Sequence, residues 1–218
     1  MSSDSPLTRQ QSRLHALNQR RQLSVFQQKT AEIALCRRIR RLPVYRKARA
    51  ISIYLSTASE IGTTAVLKMA ERDGKHCYVP VLHPWQQHKM AFMRYRAGEK
   101  LQRNRWGIAE PALNIDACIA ARQLDLVMMP LVAFDMAGRR LGMGQGFYDR
   151  AFAFRRHIPG KPFLLGLAHE CQQALRPLES QPWDVDLDAV VTPVRIIHFR
   201  YSQQSALRHT TDDNTECK

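Results

Sequence analysis

The stretch Leu124-Asp-Leu-Val-Met-Met-Pro130 decides the fold class, because it is a short and almost continuous apolar run. Strands that are apolar on both faces are typical of a parallel sheet covered by helices. A helical segment at 63–72, which ends at Asp73-Gly74, lies between two other candidate strands. We therefore predict an α/β fold of three layers, in which a mainly parallel sheet lies between helices. The other candidate strands lie at residues 50–55, 76–81, 90–95, 162–168 and 188–192.

The predicted sheet also indicates where ligands would bind. In open α/β sheets, binding sites lie in the loops that follow the carboxyl ends of the strands. We therefore expect the functional residues in a small set of loops. These loops follow Leu55, Pro80, Pro130, Ala168 and Thr192.

Residues 8–42 form a basic helical segment before the first strand. From Leu14 to Leu42 the chain has no Pro or Gly, and apolar residues recur at helical spacing. Pro43 ends this segment, and Ser24 can cap a second helix, so one long helix and two shorter helices both fit the pattern. We expect one domain over residues 1–202 and a mobile C-terminal tail at 203–218.

The positive charge of the chain is concentrated near its N-terminus. The formal net charge is +14, and residues 1–50 carry twelve Lys or Arg against two acidic side chains. Such an excess is typical of a solvated helix face or of a surface that binds nucleic acid. A nucleic-acid partner is disfavoured, because the chain has no RNP, zinc-finger or helix-turn-helix signature.

The composition is that of an ordinary globular protein, with 44% apolar and 24% charged residues in a chain of 218. The five cysteines are widely spaced and form no CxxC pair, which disfavours a disulfide scaffold or a zinc site. No apolar run has the length of a membrane span, and the N-terminus lacks the apolar stretch of a secretory signal. We expect a cytoplasmic, monomeric protein with no membrane partner.

The segment at 130–150 carries the clearest chemical signal. Its alternating Gly142, Gly144 and Gly146 can turn backbone N–H groups towards an anion, and phosphate is the expected ligand. Phe147 excludes the dinucleotide-binding pattern GxGxxG, and the Walker A spacing is missing. The alternative interpretation is a glycine-rich turn that binds nothing.

The residues around this loop favour phosphate. Arg139 and Arg140 precede it and can pair with phosphate oxygens, while Tyr148 and Asp149 follow it within one turn. Asp149 can hold Mg²⁺ beside a bound triphosphate. The alternative for Asp149 is an ordinary acidic residue in the first turn of a helix.

Several motifs occur in order along about residues 9–194. They are Arg20-Arg-Gln-Leu-Ser24, Tyr54-Leu-Ser-Thr-Ala-Ser-Glu-Ile-Gly-Thr63, Tyr78-Val-Pro-Val-Leu82, Arg105-Trp-Gly-Ile-Ala-Glu-Pro111, LVAFD at 131–135, GRRLGMGQGFYDR at 138–150, Trp183-Asp184 and DLDAVVTP at 186–193. Together they resemble the motifs of the 5-formyltetrahydrofolate cyclo-ligases, also called 5,10-methenyltetrahydrofolate synthetases, and especially those of bacteria.

The resemblance implies a reaction with ATP as co-substrate and Mg²⁺ as cofactor. ATP phosphorylates the formyl oxygen of 5-formyltetrahydrofolate, N10 closes the ring, and 5,10-methenyltetrahydrofolate is released with ADP and phosphate. The implied metal ligands are Asp149 and Asp184. The implied ATP-binding residues are Arg9, Arg13, Arg140, Leu141, Gly142, Met143, Gly144, Gln145, Gly146, Phe147 and Tyr148. The implied substrate-binding residues are Leu55, Glu60, Trp106, Met143 and Phe147.

Two positions depart from the family pattern. Arg9 stands where relatives usually have Lys, which keeps the charge but changes its geometry. Gly62 stands where relatives usually have an acidic residue two positions after the glutamate that corresponds to Glu60.

Charge alone suggests two further interpretations. Asp184 lies near Asp186 and Asp188, a trio that without the resemblance is typical of a solvated acidic turn. A group of arginines can either bind the glutamate tail of the substrate or form a solvated rim. These arginines are Arg94, Arg96, Arg103 and Arg105.

Other functions stay open at this point. A sugar-phosphate isomerase or an enzyme similar to acyl-CoA transferases can share this kind of sheet. A non-catalytic regulator can share the whole fold. Dependence on ATP and Mg²⁺ would separate these alternatives from the cyclo-ligase.

Overall fold

The structure, a computed structural model, describes residues 8–57, 60–83, 89–104, 107–158 and 160–199. The tail predicted at 203–218 lies outside these residues. The helices are α1 Arg9–Arg21, α2 Val25–Arg41, α3 Pro43–Lys47, α4 Thr64–Arg72 and α5 Phe147–Ala151. The strands are β1 Ala50–Ile53, β2 His76–Leu82, β3 Met90–Arg94, β4 Gln102–Arg103, β5 Ala109–Glu110, β6 Cys118–Ile119, β7 Leu126–Pro130, β8 Ala133–Phe134, β9 Arg140–Leu141, β10 Phe163–Leu167, β11 Ala189–Val191 and β12 Ile196–His198. In this part of the chain no helix is long and apolar enough to cross a membrane.

The main sheet has eight strands in the order β12-β11-β10-β7-β1-β2-β3-β6. The inner strands from β11 to β2 run parallel, with Ile51 opposite Leu126 and Met128 opposite Leu165. The outer strands β12, β3 and β6 pair antiparallel with their neighbours. The six strands expected from the sequence are β1, β2, β3, β7, β10 and β11, and the prediction of a mainly parallel α/β sheet is confirmed.

Successive residues of β7 face opposite sides of the sheet. Leu126 and Met128 pack on the side that is covered by α2, α3 and α4, whereas Val127 and Met129 pack on the other side. This second side is covered by short elements, namely α5 and the 3₁₀ turn Ala153–Arg156. The run of apolar residues in β7 therefore reflects burial on both faces.

The basic N-terminal segment forms two helices. Thr8 caps α1 and Ser24 caps α2, and in both capping boxes a Gln three residues later completes the hydrogen bonds. α2 packs against α4, but α1 lies against β8 and the 3₁₀ turn Glu170–Gln172. Ala16 of α1 packs in a small apolar cluster with Leu141. Because the helix is interrupted before Ser24, α1 lies near the carboxyl ends of the strands and does not continue the direction of α2.

Candidate active site

A cavity of about 770 Å³ lies at the carboxyl ends of β7, β1 and β2. Residues at or just after the ends of these strands border it, among them Pro130, Tyr54 and Leu82. The helix α1 and the loop between β9 and α5 form other parts of its wall. The cavity therefore lies where the predicted topology placed a ligand site.

The glycine loop at 142–146 borders the cavity along its whole length. The hairpin of β8 and β9 leads directly into it. Gly144 and Gly146 have φ angles of 95° and 62°, which residues with a Cβ rarely adopt. The following helix α5 has only five residues, so its dipole contributes less to anion binding than a longer helix would. Anion binding at this loop would therefore depend mainly on backbone N–H groups of the loop and on nearby cations.

Arg140 and Asp149 form an ion pair at the two ends of the glycine loop. The guanidinium Nη2 of Arg140 donates to Asp149 Oδ1 over 2.6 Å, and the backbone N–H of Val185 donates to the same oxygen over 3.2 Å. Both side chains are largely buried and both border the cavity. Asp149 is therefore a structural partner of Arg140 as well as a candidate metal ligand.

Tyr148 lies beside this pair, with Arg140 over its ring at 5.9 Å. Its hydroxyl oxygen is buried and has no hydrogen-bond partner in the described part of the chain. Burial, with a smaller contribution from the charge of Glu60, raises the pKa of Tyr148 above its ordinary value. The hydroxyl therefore stays protonated and can donate a hydrogen bond to a ligand.

Two arginines of α1 reach the same region of the cavity. Arg9 Nη1 donates to Asp184 Oδ2 over 2.5 Å, and Arg13 Nε donates to the carbonyl oxygen of Gly142 over 2.8 Å. A third arginine, Arg20, is only 5% exposed. The interpretation of this segment as a solvated face is therefore wrong for these three arginines, which turn towards the protein.

Other charged residues lie elsewhere than predicted. Arg139 does not serve the phosphate loop, because its Nη1 donates to the carbonyl oxygen of Leu178 over 3.0 Å. The acidic turn at 184–188 is solvated only in part. Asp186 is exposed, whereas Asp188 is buried and accepts hydrogen bonds from Arg155 Nη2 over 2.9 and 3.0 Å.

Glu60 and Leu55 both border the cavity, in the loop after β1. The two hydrogen bonds that Glu60 accepts from described residues go to Oε2, from the backbone N–H and the Oγ1 hydroxyl of Thr57, over 2.8 and 3.0 Å. At Gly62 the position of a Cβ would lie 2.7 Å from the carboxylate carbon of Glu32. A carboxylate from α2 therefore lies in the space next to this glycine.

The remaining predicted contacts are not part of the described cavity wall. Trp106 and Arg105 lie outside the described residues. Arg94 stacks over the ring of Tyr78 at 5.6 Å, and Arg103 donates to the carbonyl oxygen of Gly107 over 2.8 Å. Neither these two arginines nor Arg96 border the cavity, so the structure gives no support for their binding a glutamate tail.

The structure also brings residues to the cavity that sequence reasoning missed. Asn104 and Glu110 border it together, and Glu110 is only 8% exposed. Glu110 belongs to the motif Gly107-Ile-Ala-Glu-Pro111, which is the one sequence signal that could have identified it. The apolar wall beside it was not predicted either. It includes Pro80, Leu82, Met90, Ile108 and Ala109.

Comparison with known proteins places this chain in a family. The protein-family model described as "5-formyltetrahydrofolate cyclo-ligase family" matches residues 7–193 of this chain. The 5-formyltetrahydrofolate cyclo-ligase of Haemophilus influenzae is 39% identical over 180 residues, which cover 82% of this chain and 94% of that protein. The protein of the same name from Escherichia coli K12 is 37% identical over 177 residues, which cover 81% of this chain and 96% of that protein.

Solved structures have the same fold. The NMR structure of Aquifex aeolicus 5,10-methenyltetrahydrofolate synthetase superimposes with a TM-score of 0.74 at 23% identity, over 95% of this chain and all (100%) of that one. A 5,10-methenyltetrahydrofolate synthetase from Mycoplasma pneumoniae gives a TM-score of 0.66 at 18% identity, over 86% and 99% of the two chains. With the sequence matches over most of its length, this chain belongs to the 5-formyltetrahydrofolate cyclo-ligase family.

Proposed function

We propose that this chain is a 5-formyltetrahydrofolate cyclo-ligase, which uses ATP to convert 5-formyltetrahydrofolate to 5,10-methenyltetrahydrofolate. The observation that carries the proposal is the chemical division of the cavity. The part formed by residues 140–149 offers glycine N–H groups, Arg140 and Asp149, whereas the part over β1 and β2 offers apolar side chains with Glu60 and Glu110. Such a cavity suits a triphosphate beside a heterocycle with N–H donors.

The proposed nucleotide site is the glycine loop with its surrounding cations. Backbone N–H groups and guanidinium groups are the donors that phosphate oxygens prefer. Arg13 of α1 contacts this loop at the carbonyl oxygen of Gly142, and Arg9 contacts Asp184, which also borders the cavity, so the helix can hold the nucleotide from the other side. The proposed residues of this site are Arg9, Arg13, Arg140, Gly142, Met143, Gly144, Gln145, Gly146, Phe147 and Tyr148. Leu141, which the resemblance also implies, is buried in the apolar cluster with Ala16 and does not border the cavity.

We assign Mg²⁺ to Asp149 and Asp184. The described residues contain no group of three or more His, Cys, Asp or Glu that could hold a metal without help. Two carboxylates suffice for this ion, because Mg²⁺ is usually held by one or two carboxylates together with substrate phosphates. When bound, it would neutralise the negative charge of the transferred phosphoryl group.

The reaction needs a better leaving group than the formyl oxygen. The γ-phosphoryl group moves from ATP to this oxygen and ADP is formed. N10 then attacks the formyl carbon, and the bond between this carbon and the phosphorylated oxygen breaks. Phosphate leaves with the formyl oxygen and the N10 proton, so no water is consumed. The residues of the chain therefore act by positioning the two substrates and balancing charge.

The proposed folate contacts are Leu55, Glu60, Met143 and Phe147, with Trp106, which lies outside the described residues. Glu60 can accept hydrogen bonds from the pterin N–H groups through the oxygen that Thr57 leaves unused. Met143 lies in the glycine loop and Phe147 begins α5 directly after it, so both can contact the two substrates at the site of phosphoryl transfer.

The alternative functions are less well supported. Membership of an enzyme family does not favour a nucleic-acid-binding protein, and two of the N-terminal arginines face the cavity instead of solvent. A regulator without activity would bind both ligands but release no product.

We further propose that the enzyme works as a monomer in the cytoplasm, and light scattering on the purified chain would test the oligomeric state.

The proposed reaction is tested by the absorbance of the methenyl product. The purified full-length chain is mixed with 5-formyltetrahydrofolate, ATP and Mg²⁺, and each is omitted in turn. We expect the absorbance to rise only when all three are present. ATP binding without any rise would mean that the phosphate site is real and the folate assignment is wrong. A rise without ATP would contradict the phosphorylation step.

A further inference from the structure

Glu110 is a buried carboxylate that borders the cavity. It lies on β5, which contacts β2, whereas Glu60 lies in the loop after β1. Around Glu110 the cavity wall is apolar, with Leu82, Met90 and Ile108. A charged group in such surroundings is stable only when hydrogen bonds satisfy it.

The hydrogen bonds of Glu110 satisfy only one of its oxygens. The backbone N–H of Leu82 donates to Oε2 over 3.2 Å, and Asn104 Nδ2 donates to the same oxygen over 2.9 Å. Within the described residues, Oε1 accepts no hydrogen bond, and no cation forms an ion pair with this carboxylate. Oε2 therefore holds the side chain in place, and Oε1 can accept a hydrogen bond from a ligand.

Glu60, in the loop after β1, is held in the same way. Its two hydrogen bonds from described residues also go to one oxygen, Oε2, and come from Thr57. The cavity therefore presents two carboxylates, each with one oxygen fixed by the protein. Neither Lys nor Arg from the described residues neutralises Glu110, so the partner that suits its second oxygen is an N–H or O–H donor of a ligand.

We propose that Glu110 binds the substrate directly, as a second carboxylate that accepts a hydrogen bond from the reduced pterin ring. This inference rests on the proposed function, because that function supplies the ring. A reduced pterin has N–H donors along its edge and apolar faces, which match a carboxylate set among Leu82, Met90 and Ile108. Glu110 thereby fixes the orientation of the ring relative to the glycine loop.

Glu110→Gln is the variant that tests this role. The amide oxygen of Gln can still accept from Leu82 and Asn104, so the local structure is kept. The second atom becomes an NH₂ group, which cannot accept a hydrogen bond from the ring. We expect the KM for 5-formyltetrahydrofolate to rise about tenfold or more, with the KM for ATP and the unfolding temperature unchanged. Glu99→Gln, an exposed carboxylate outside the cavity, is the matched control.

A fragment separates contact with the ring from contact with the rest of the substrate. 5-Formyl-6-methyltetrahydropterin has the ring but lacks N10 and the glutamate, so it can only inhibit. We expect Glu110→Gln to raise its inhibition constant by the same factor as the KM for the full substrate. An unchanged KM would overturn the proposal, and so would a raised KM with an unchanged inhibition constant. If the wild-type chain forms no methenyl product, the proposed function fails instead.

Discussion

Arg140 and Asp149 flank the glycine loop, and the hydrogen bond of 2.6 Å between Arg140 Nη2 and Asp149 Oδ1 joins its two ends. The loop is therefore closed by an ion pair whose members also face the cavity. A cation and an anion held next to each other can bind the two oppositely charged parts of a metal–nucleotide complex. Arg140 can bind phosphate oxygens, and Asp149 can bind the metal that accompanies them.

Replacing Asp149 should remove turnover. In Asp149→Asn the amide oxygen can still accept from Arg140 and from the backbone N–H of Val185, so we expect the fold to survive. Loss of the charge should lower kcat/KM roughly 100-fold or more, since a metal ligand is lost. Asp149→Ala should also be inactive, with about 2 kcal/mol less stability because Arg140 loses its partner. Assays with Asp116→Asn, an exposed control, should match wild type, and a fully active Asp149→Asn would rule out the metal assignment.

Replacing Arg13 should weaken ATP binding. Arg13 connects α1 to the glycine loop through the carbonyl oxygen of Gly142, and it borders the cavity. We expect Arg13→Ala to raise the KM for ATP about tenfold, in line with the loss of one charged hydrogen bond. The KM for the folate should stay the same. Arg21→Ala removes an exposed arginine from the same helix and should have no effect. An equal effect of both variants would show that the role of Arg13 is only general charge.

Replacing Gly146 should affect both stability and nucleotide binding. Its φ angle is 62°, and an added Cβ would lie 3.0 Å from Nη1 of Arg150. Gly74 has a φ angle of 72° in an exposed turn, where an added Cβ would meet nothing within 4 Å. Both Gly146→Ala and Gly74→Ala should therefore lose about 1 kcal/mol in urea unfolding. Only Gly146→Ala should raise the KM for ATP, and an unchanged KM in that variant would argue against a phosphate-binding loop.

His169 should make stability depend on pH. It is 3% exposed and its Nε2 has no hydrogen-bond partner in the described part of the chain. Burial, and to a lesser degree the charge of Arg20, lowers the pKa of His169 from its ordinary 6.5 to about 4. Between these values the unfolded chain binds a proton that the folded chain does not. Stability is therefore complete above pH 6.5 and falls as the pH approaches 4, by up to about 3 kcal/mol.

His169→Gln should remove this part of the pH dependence. Denaturant unfolding of wild type and variant at pH 7 and pH 4.5 gives the comparison. Between pH 7 and pH 4.5 the free energy of unfolding of wild type should fall by more than that of the variant. His76→Gln removes an exposed histidine and serves as the control. A constant difference between wild type and His169→Gln would show that His169 does not titrate in this way.

The sequence predicted the structure correctly where a single local pattern of residues specifies it. The apolar run at 124–130 required burial on both faces, and it lies in the centre of the parallel sheet as β7. Ser24 and Gln27 form the capping box that separates α1 from α2. Gly144 and Gly146 adopt the positive φ angles that favour glycine. Each of these features depends on residues that are neighbours in the chain, so the pattern itself carries the physical cause.

The tertiary structure decided which side chains meet. Arg139 and Arg140 are adjacent in sequence and have equal charge, yet one bonds to Leu178 and the other to Asp149. Glu110 is held at the cavity by a hydrogen bond from the backbone N–H of Leu82, a residue 28 positions away along the chain. The sequence alone therefore indicated the parallel sheet, the possible helix start at Ser24 and the glycine loop. The composition of the site was decided only by folding, because hydrogen bonds and burial between distant residues depend on how the strands are ordered.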